Sequence, residues 1–150
     1  ILDDLIVYRI EDERFLIIAN AGNRDVVAAA LTERREDWVA EDAAAQVEAV
    51  DVTDDYALIA VQGPEARRIV EATEGIDITG TPLADLGYYA WTSGTFGAES
   101  LFVARTGYTG EDGFELLVPT DAAESLWDEL SWHADKLGII SGSFVDEADL

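Results

Sequence analysis

Residues 100–118 read Ser100-Leu101-Phe102-Val103-Ala104-Arg105-Thr106-Gly107-Tyr108-Thr109-Gly110-Glu111-Asp112-Gly113-Phe114-Glu115-Leu116-Leu117-Val118. Two apolar runs, Ser100 to Arg105 and Phe114 to Val118, flank a glycine-rich segment and read as successive strands. A third candidate strand, Gly87 to Thr92, precedes them. Three strands without intervening helices rule out strict βαβ alternation. The pattern predicts an α+β fold with mostly antiparallel sheets and packed helices.

Working outward, Asp121 and Glu124 suit the start of a helix on which Ala123, Leu126, Trp127 and Leu130 recur at helical spacing, with Gly138 placed to end it. Upstream, Gly75 to Leu86 reads as a loop. Gly63-Pro64 opens a helix to about Thr73, proline being favoured at the first helical position. Tyr56 to Val61 is a strand, and Val47 to Val52 a weaker candidate. Trp38 to Ala45 is an acidic connection or short helix, and Asn23 can cap a helix reaching about Glu36. At the start, Leu2 to Ile10 and Arg14 to Asn20 form a hairpin about the charged turn Glu11-Asp12-Glu13. The organisation expected is residues 1–52 as the end of one subdomain, 53–138 as a second, and 139–150 as a tail.

The bulk numbers exclude several classes. Half the chain is apolar, 49%, enough for a core. The net charge of −23 repels nucleic-acid phosphates and anionic membranes, so neither is an expected partner. No apolar run approaches the roughly 20 residues that span a bilayer. With no cysteine and the single histidine His133, read as exposed near a helix end, no metal site is expected. Eight arginines stand against one lysine, Lys136. Acid-rich, lysine-poor surfaces resemble those of halophilic proteins. Self-repulsion of this size needs concentrated salt, whose Debye length falls to about 3 Å at 1 M. The chain has no initiator methionine and opens directly on a strand, so it reads as part of a longer protein.

Two segments could carry chemistry. In Ile1-Leu2-Asp3-Asp4-Leu5-Ile6-Val7-Tyr8, strand alternation puts Asp4, Ile6 and Tyr8 on one face. A hairpin symmetric about Asp12 sets Ile10 opposite Arg14 and Asp4 opposite Asn20. That gathers a carboxylate, a carboxamide and a phenol, unless the aspartates belong to a solvated strand start. In the second segment, Gly107, Gly110 and Gly113 permit tight turns and close approach of backbone to a ligand. The segment lacks the lysine and following helix of a phosphate-binding loop. Glu115, inside an apolar strand, could accept paired hydrogen bonds from an N–H/NH₂ edge such as a pterin presents. Alternatively, it faces solvent on a hairpin.

These segments, in this order, resemble the aminomethyltransferase family, the T-protein of the glycine cleavage system. Ile1 to Tyr8 is similar to its G-G-I-x-D-D-L-I-V-Y segment, and Ile17-Ile18-Ala19-Asn20-Ala21-Gly22-Asn23-Arg24 to V-V-N-A-x-x-R. Ala57 to Pro64 resembles A-L-x-A-L-Q-G-P, and Arg105 to Glu115 resembles R-T-G-Y-T-G-E-D-G-F-E throughout. The resemblance implies part of a folate-binding fold built of ferredoxin-like units. It further implies a cytoplasmic transferase that moves a one-carbon unit from the aminomethyl-lipoyl arm of a carrier, the H-protein, to tetrahydrofolate and releases ammonia. Asp4 then takes the catalytic position, Glu115 holds the pterin edge, and Tyr8, Asn20 and Tyr108 line the folate pocket. Tetrahydrofolate enters as substrate, with no metal.

The chain departs from the family after Leu137-Gly138. Ile139 to Glu147 replaces G-A-R-D-x-L-R-x-E and brings no folate-tail arginine, which puts independent catalysis by these 150 residues in doubt. Other readings are the folate-binding domain of a dimethylglycine or sarcosine dehydrogenase and an acidic α+β interaction module without ligand. A folate-binding protein of iron–sulfur assembly would carry K-G-C-Y-x-G-Q-E, which this chain lacks.

Overall fold

A computed structural model describes residues 1–42, 46–107 and 109–139. They fall into two compact units, residues 1–52 and a second that begins at Thr53. Tyr108 and the tail from residue 140 onward lie outside the described residues.

In the first unit, β1 (Ile6–Glu11) and β2 (Arg14–Ile18) pair antiparallel. The pairs Ile6↔Ile18, Val7↔Ile17, Tyr8↔Leu16 and Arg9↔Phe15 keep the symmetry about Asp12. An irregularity between Arg9 and Glu11 then brings Glu11 opposite Arg14, so the expected Ile10–Arg14 pair does not form. Both strands are shorter than the apolar runs suggest, leaving Leu2 to Leu5 and Ala19-Asn20 outside the ladder. Helix α1 (Arg24–Glu41) runs past Glu36 and absorbs Trp38. Its least exposed side is Val27, Leu31, Arg35 and Val39. Asn23 precedes this helix without capping it through its side chain. The strand expected at Val47 to Val52 is absent. Arg35 Nε instead donates to the Val47 carbonyl at 3.0 Å, and Arg24 pairs with Asp51 at 2.9 Å. The segment is thereby tied to α1, with Val47 and Val50 exposed.

The second unit is a five-stranded, wholly antiparallel sheet. Its members are β3 (Tyr56–Gln62), β4 (Ile76–Ile78), β5 (Trp91–Phe96), β6 (Glu99–Ala104) and β7 (Gly113–Pro119), in the order β3-β7-β6-β5-β4. Strand alternation gives the sheet two faces. Ile59, Leu116 and Val103 form one row of the first face and pack with α2 (Ala66–Ala72) and α3 (Ala123–Lys136) through Ile69, Val70, Leu126 and Leu130. Phe114, Val103, Leu116, Val118 and Leu126 are completely buried in this core. Ala60, Gln62, Glu115, Leu117, Ala104, Phe102 and Trp91 point from the opposite face.

Several boundaries differ from the sequence reading. Pro64 lies in a turn with Glu65, ahead of α2. The loop expected from Gly75 holds the three-residue β4. The strand expected at Gly87 to Thr92 begins at Trp91, because Ala90 N–H bonds the Gly87 carbonyl in a turn and Tyr89 takes φ +62°. On α3, Trp127 is exposed while Leu126 and Leu130 are buried. Ala122, with no side-chain cap, precedes the helix in place of the expected Asp121 arrangement. Gly138, at φ +70°, does end the helix, and Ile139 N–H bonds back to the Ala134 carbonyl. His133 is buried, correcting its expected exposure, and its Nε2 accepts the Glu74 backbone N–H at 3.1 Å.

Candidate functional site

In the first unit the paired aspartates divide their tasks. The Asp3 carboxylate accepts the Asn20 backbone N–H at 2.9 Å, Asn20 Nδ2 at 2.8 Å and Asn23 Nδ2 at 2.7 Å. These donors favour the ionised form, with the Asn20 side chain the largest contributor, and hold Asp3 below the usual aspartate pKa. Asn20 Nδ2 also donates to the Asp4 backbone carbonyl at 3.0 Å. The expected Asp4–Asn20 proximity is therefore present, but through the main chain of Asp4. Asp3 holds Asn20 with its side chain, and the Asp4 carboxylate is left exposed. Tyr8 is buried, 2% exposed, opposite Leu16.

In the second unit the site centres on Glu115. Register places it between Ala60 of β3 and Ala104 of β6, the smallest side chains that still mark a face. Trp91 follows Ala104 in the same row and stacks on Phe102 at 5.1 Å. Glu115 is 4% exposed, and its Oε2 is buried with no hydrogen-bond partner among the described residues. Burial disfavours the charged form and raises its pKa above the usual glutamate value. A buried carboxylate oxygen without a donor costs folding free energy, so this glutamate is poorly explained as a stabilising group. It is chemically suited to a ligand that brings N–H donors.

The glycine-rich loop above this strand is latched at its base. Arg105 Nε and Nη2 grip both oxygens of Asp112 at 2.8 and 3.1 Å, while Nη1 donates to the Leu86 carbonyl at 2.7 Å. This bidentate bond holds Asp112 below its usual pKa and Arg105 above its own. Gly63 N–H bonds the Asp112 carbonyl at 2.8 Å.

The three glycines have two causes. Gly110 takes φ +76°, a turn requirement. At Gly107 and Gly113, a Cβ would overlap Gln62 Oε1. The close approach foreseen at these two positions is thus to a side chain of the same unit. Gln62, Asp3 and the Arg105–Asp112 latch were all missed as site groups in the sequence. The local signal for the latch was an arginine and an aspartate on either side of Gly107 and Gly110. Gln62 matched a position of the Ala57 to Pro64 resemblance, but nothing in the sequence tied it to Gly107 and Gly113.

Comparison with known proteins places the chain by sequence. The family model described as the GCVT N-terminal domain matches residues 1–144. An aminomethyltransferase of Streptomyces coelicolor is 45% identical over 140 residues, covering 93% of this chain and 34% of that protein. One from Corynebacterium aurimucosum is 44% identical, covering 93% of this chain and 35% of the relative. A protein described as a probable aminomethyltransferase of Natronomonas pharaonis is 38% identical, with 92% and 36% covered. The chain spans about a third of the length of these curated relatives.

Proposed function

Because this chain belongs to the GCVT N-terminal domain family, we propose that its parent protein is an aminomethyltransferase whose folate-binding elements are read here. The observation that carries this reading is Glu115, a buried carboxylate with an orphan oxygen between two alanines. The 2-amino and ring N–H donors along one edge of a reduced pterin match what that carboxylate lacks. Tyr8, Asn20 and Tyr108 are assigned to the folate pocket by motif position, with Asn20 tethered by Asp3.

The one-carbon donor is the aminomethyl group on the lipoyl arm of a carrier protein. Its methylene carbon loses its bonds to sulfur and nitrogen and gains bonds to N5 and N10 of tetrahydrofolate. The two N–H protons displaced from folate go to the lipoyl thiol and to departing ammonia. Asp4, an exposed carboxylate, is assigned by motif position the task of accepting the N5 proton and supporting positive charge on the transferred carbon. The test uses the full-length protein with aminomethylated carrier. Ammonia release that rises strongly on adding tetrahydrofolate, with methylenetetrahydrofolate formed in equal amount, is expected. Release indifferent to folate rules the reading out.

The parent is further proposed to work in a salt-rich cytoplasm. Among the described residues no helix is long and apolar enough to cross a membrane. Arg9, Arg14, Arg24, Arg68 and Arg105 each engage a carboxylate, and Lys136 lies over Trp132 at 3.5 Å. With 32 acidic residues against nine basic ones, carboxylates outnumber their possible cationic partners more than threefold. Cooperative unfolding is expected as salt is diluted below about 1 M, where screening lengthens past 3 Å. A melting midpoint independent of salt would remove this part of the proposal.

A further inference from the structure

Gln62 ends β3 directly opposite Gly113, on the same sheet face as Glu115 and one pleat beyond the Ala60–Glu115 pair. Its side chain spans the gap that the glycine-rich loop must cross between β6 and β7. Nε2 donates to the Thr106 carbonyl at 3.1 Å and more weakly to the Phe114 carbonyl at 3.4 Å. One carboxamide thereby bonds the chain as it enters the loop and again as it leaves. Its Oε1 is buried against Gly107 and Gly113, the two positions where a Cβ would strike it. Neither glycine adopts a left-handed φ, so backbone conformation does not demand glycine there. What demands it is room for Gln62.

We infer that Gln62 is a positioning residue that clamps both ends of the 107–113 loop and so fixes the loop, and the start of β7, relative to Glu115. The Arg105–Asp112 pair closes the loop from its own two ends, and Gln62 ties that closed loop to the neighbouring strand. A carboxylate receiving two parallel hydrogen bonds tolerates little displacement, because such bonds weaken steeply as distance and angle depart from the ideal. The clamp therefore acts on ligand affinity through Glu115, without touching the reacting atoms. This inference rests on the folate reading of the same site.

The test is a double-mutant cycle in the full-length protein, using tetrahydrofolate titration, steady-state turnover and amide exchange. Gln62→Ala removes the clamp, and Gly107→Ala displaces the carboxamide from the other side. Each is expected to weaken folate binding about tenfold, the worth of one or two hydrogen bonds. Turnover at saturating folate is expected to stay within about twofold, while exchange of loop amides rises and that of β5 and β6 does not. Because both changes disable one device, the double variant should bind about as well as either single variant. Gln62→Met keeps the bulk and loses the donors, and should resemble Gln62→Ala. Independent, multiplying losses in the double variant would overturn the clamp. So would wild-type folate affinity in Gln62→Ala or in Gln62→Met, which reduces the residue to a space filler. Absence of folate binding by the wild-type protein defeats the functional reading itself, a separate outcome.

Discussion

Replacing Glu115 with glutamine is expected to make the ligand-free fold more stable and to weaken its hold on tetrahydrofolate about a hundredfold. Both effects come from one fact. A carboxylate oxygen is buried beside Ala60 and Ala104 with no donor among the described residues. Without ligand, burial penalises the charge, and a neutral amide of the same shape relieves that penalty, on the order of 1 kcal/mol at neutral pH. With ligand, the charged acceptor becomes the asset. Hydrogen bonds to charged groups contribute about 1.5–3 kcal/mol, and the amide of glutamine presents a donor where an acceptor is needed.

The pH dependence supplies a further check. Because the folded-state pKa of Glu115 is raised, the folded protein holds its proton more tightly than the unfolded chain. This group's stabilising contribution is therefore full below the ordinary value of 4.5 and is lost as pH rises through the raised value. Asp3 and Asp112, whose pKa values are lowered, act in the opposite sense. Their contributions are present above 3.8 and lost as pH falls further. Denaturation of the ligand-free protein from pH 4.5 upward should show wild type losing stability relative to Glu115→Gln. Parallel curves, or unchanged folate affinity, would dissociate Glu115 from the pocket.

Asp4→Asn should behave in the converse way. Folate affinity is expected to stay within about threefold, while single-turnover ammonia release falls by about 10²–10⁴, the range for losing a proton-transfer group. The neighbouring Asp3 sharpens the assignment. Its carboxylate is consumed by Asn20 and Asn23, so Asp3→Asn should loosen the segment before β1 and lower stability. An Asp4→Asn enzyme with undiminished turnover, or one that loses folate as thoroughly as Glu115→Gln, would reassign the residue.

How far the sequence speaks depends on the range over which each rule operates. The hairpin register was readable because Glu11-Asp12-Glu13 marks a turn and the apolar runs on either side are symmetric about it. Which aspartate would hold Asn20 was not readable. Alternation applies inside a ladder, and Asp3 and Asp4 precede its first pair, Ile6↔Ile18. Tyr88 and Tyr89 have strong strand propensity, yet the turn hydrogen bond from Ala90 to Gly87 prevails, and the strand starts later. Ile76 to Ile78 is too short for a period of two to register. Glu115 stood out as a carboxylate in an apolar strand, but its flanking alanines come from strands placed beside it by tertiary pairing. Gln62 stood in a matched segment, but its role was hidden for the same reason, since it requires Gly107 and Gly113 to be its neighbours.

The placement of β3 beside β7 has a kinetic consequence. Strands β5 and β6 meet across a tight turn at Gly97 and can zip locally, whereas Gln62 and Phe114 lie 52 residues apart in sequence. Joining them is a long-range closure, and such closures are the slow, entropically opposed events of folding. The carboxylate's recess therefore does not exist on a nascent or partly opened chain. It is complete only once β3 has joined β7, and a bound ligand there would act as a stitch across that seam.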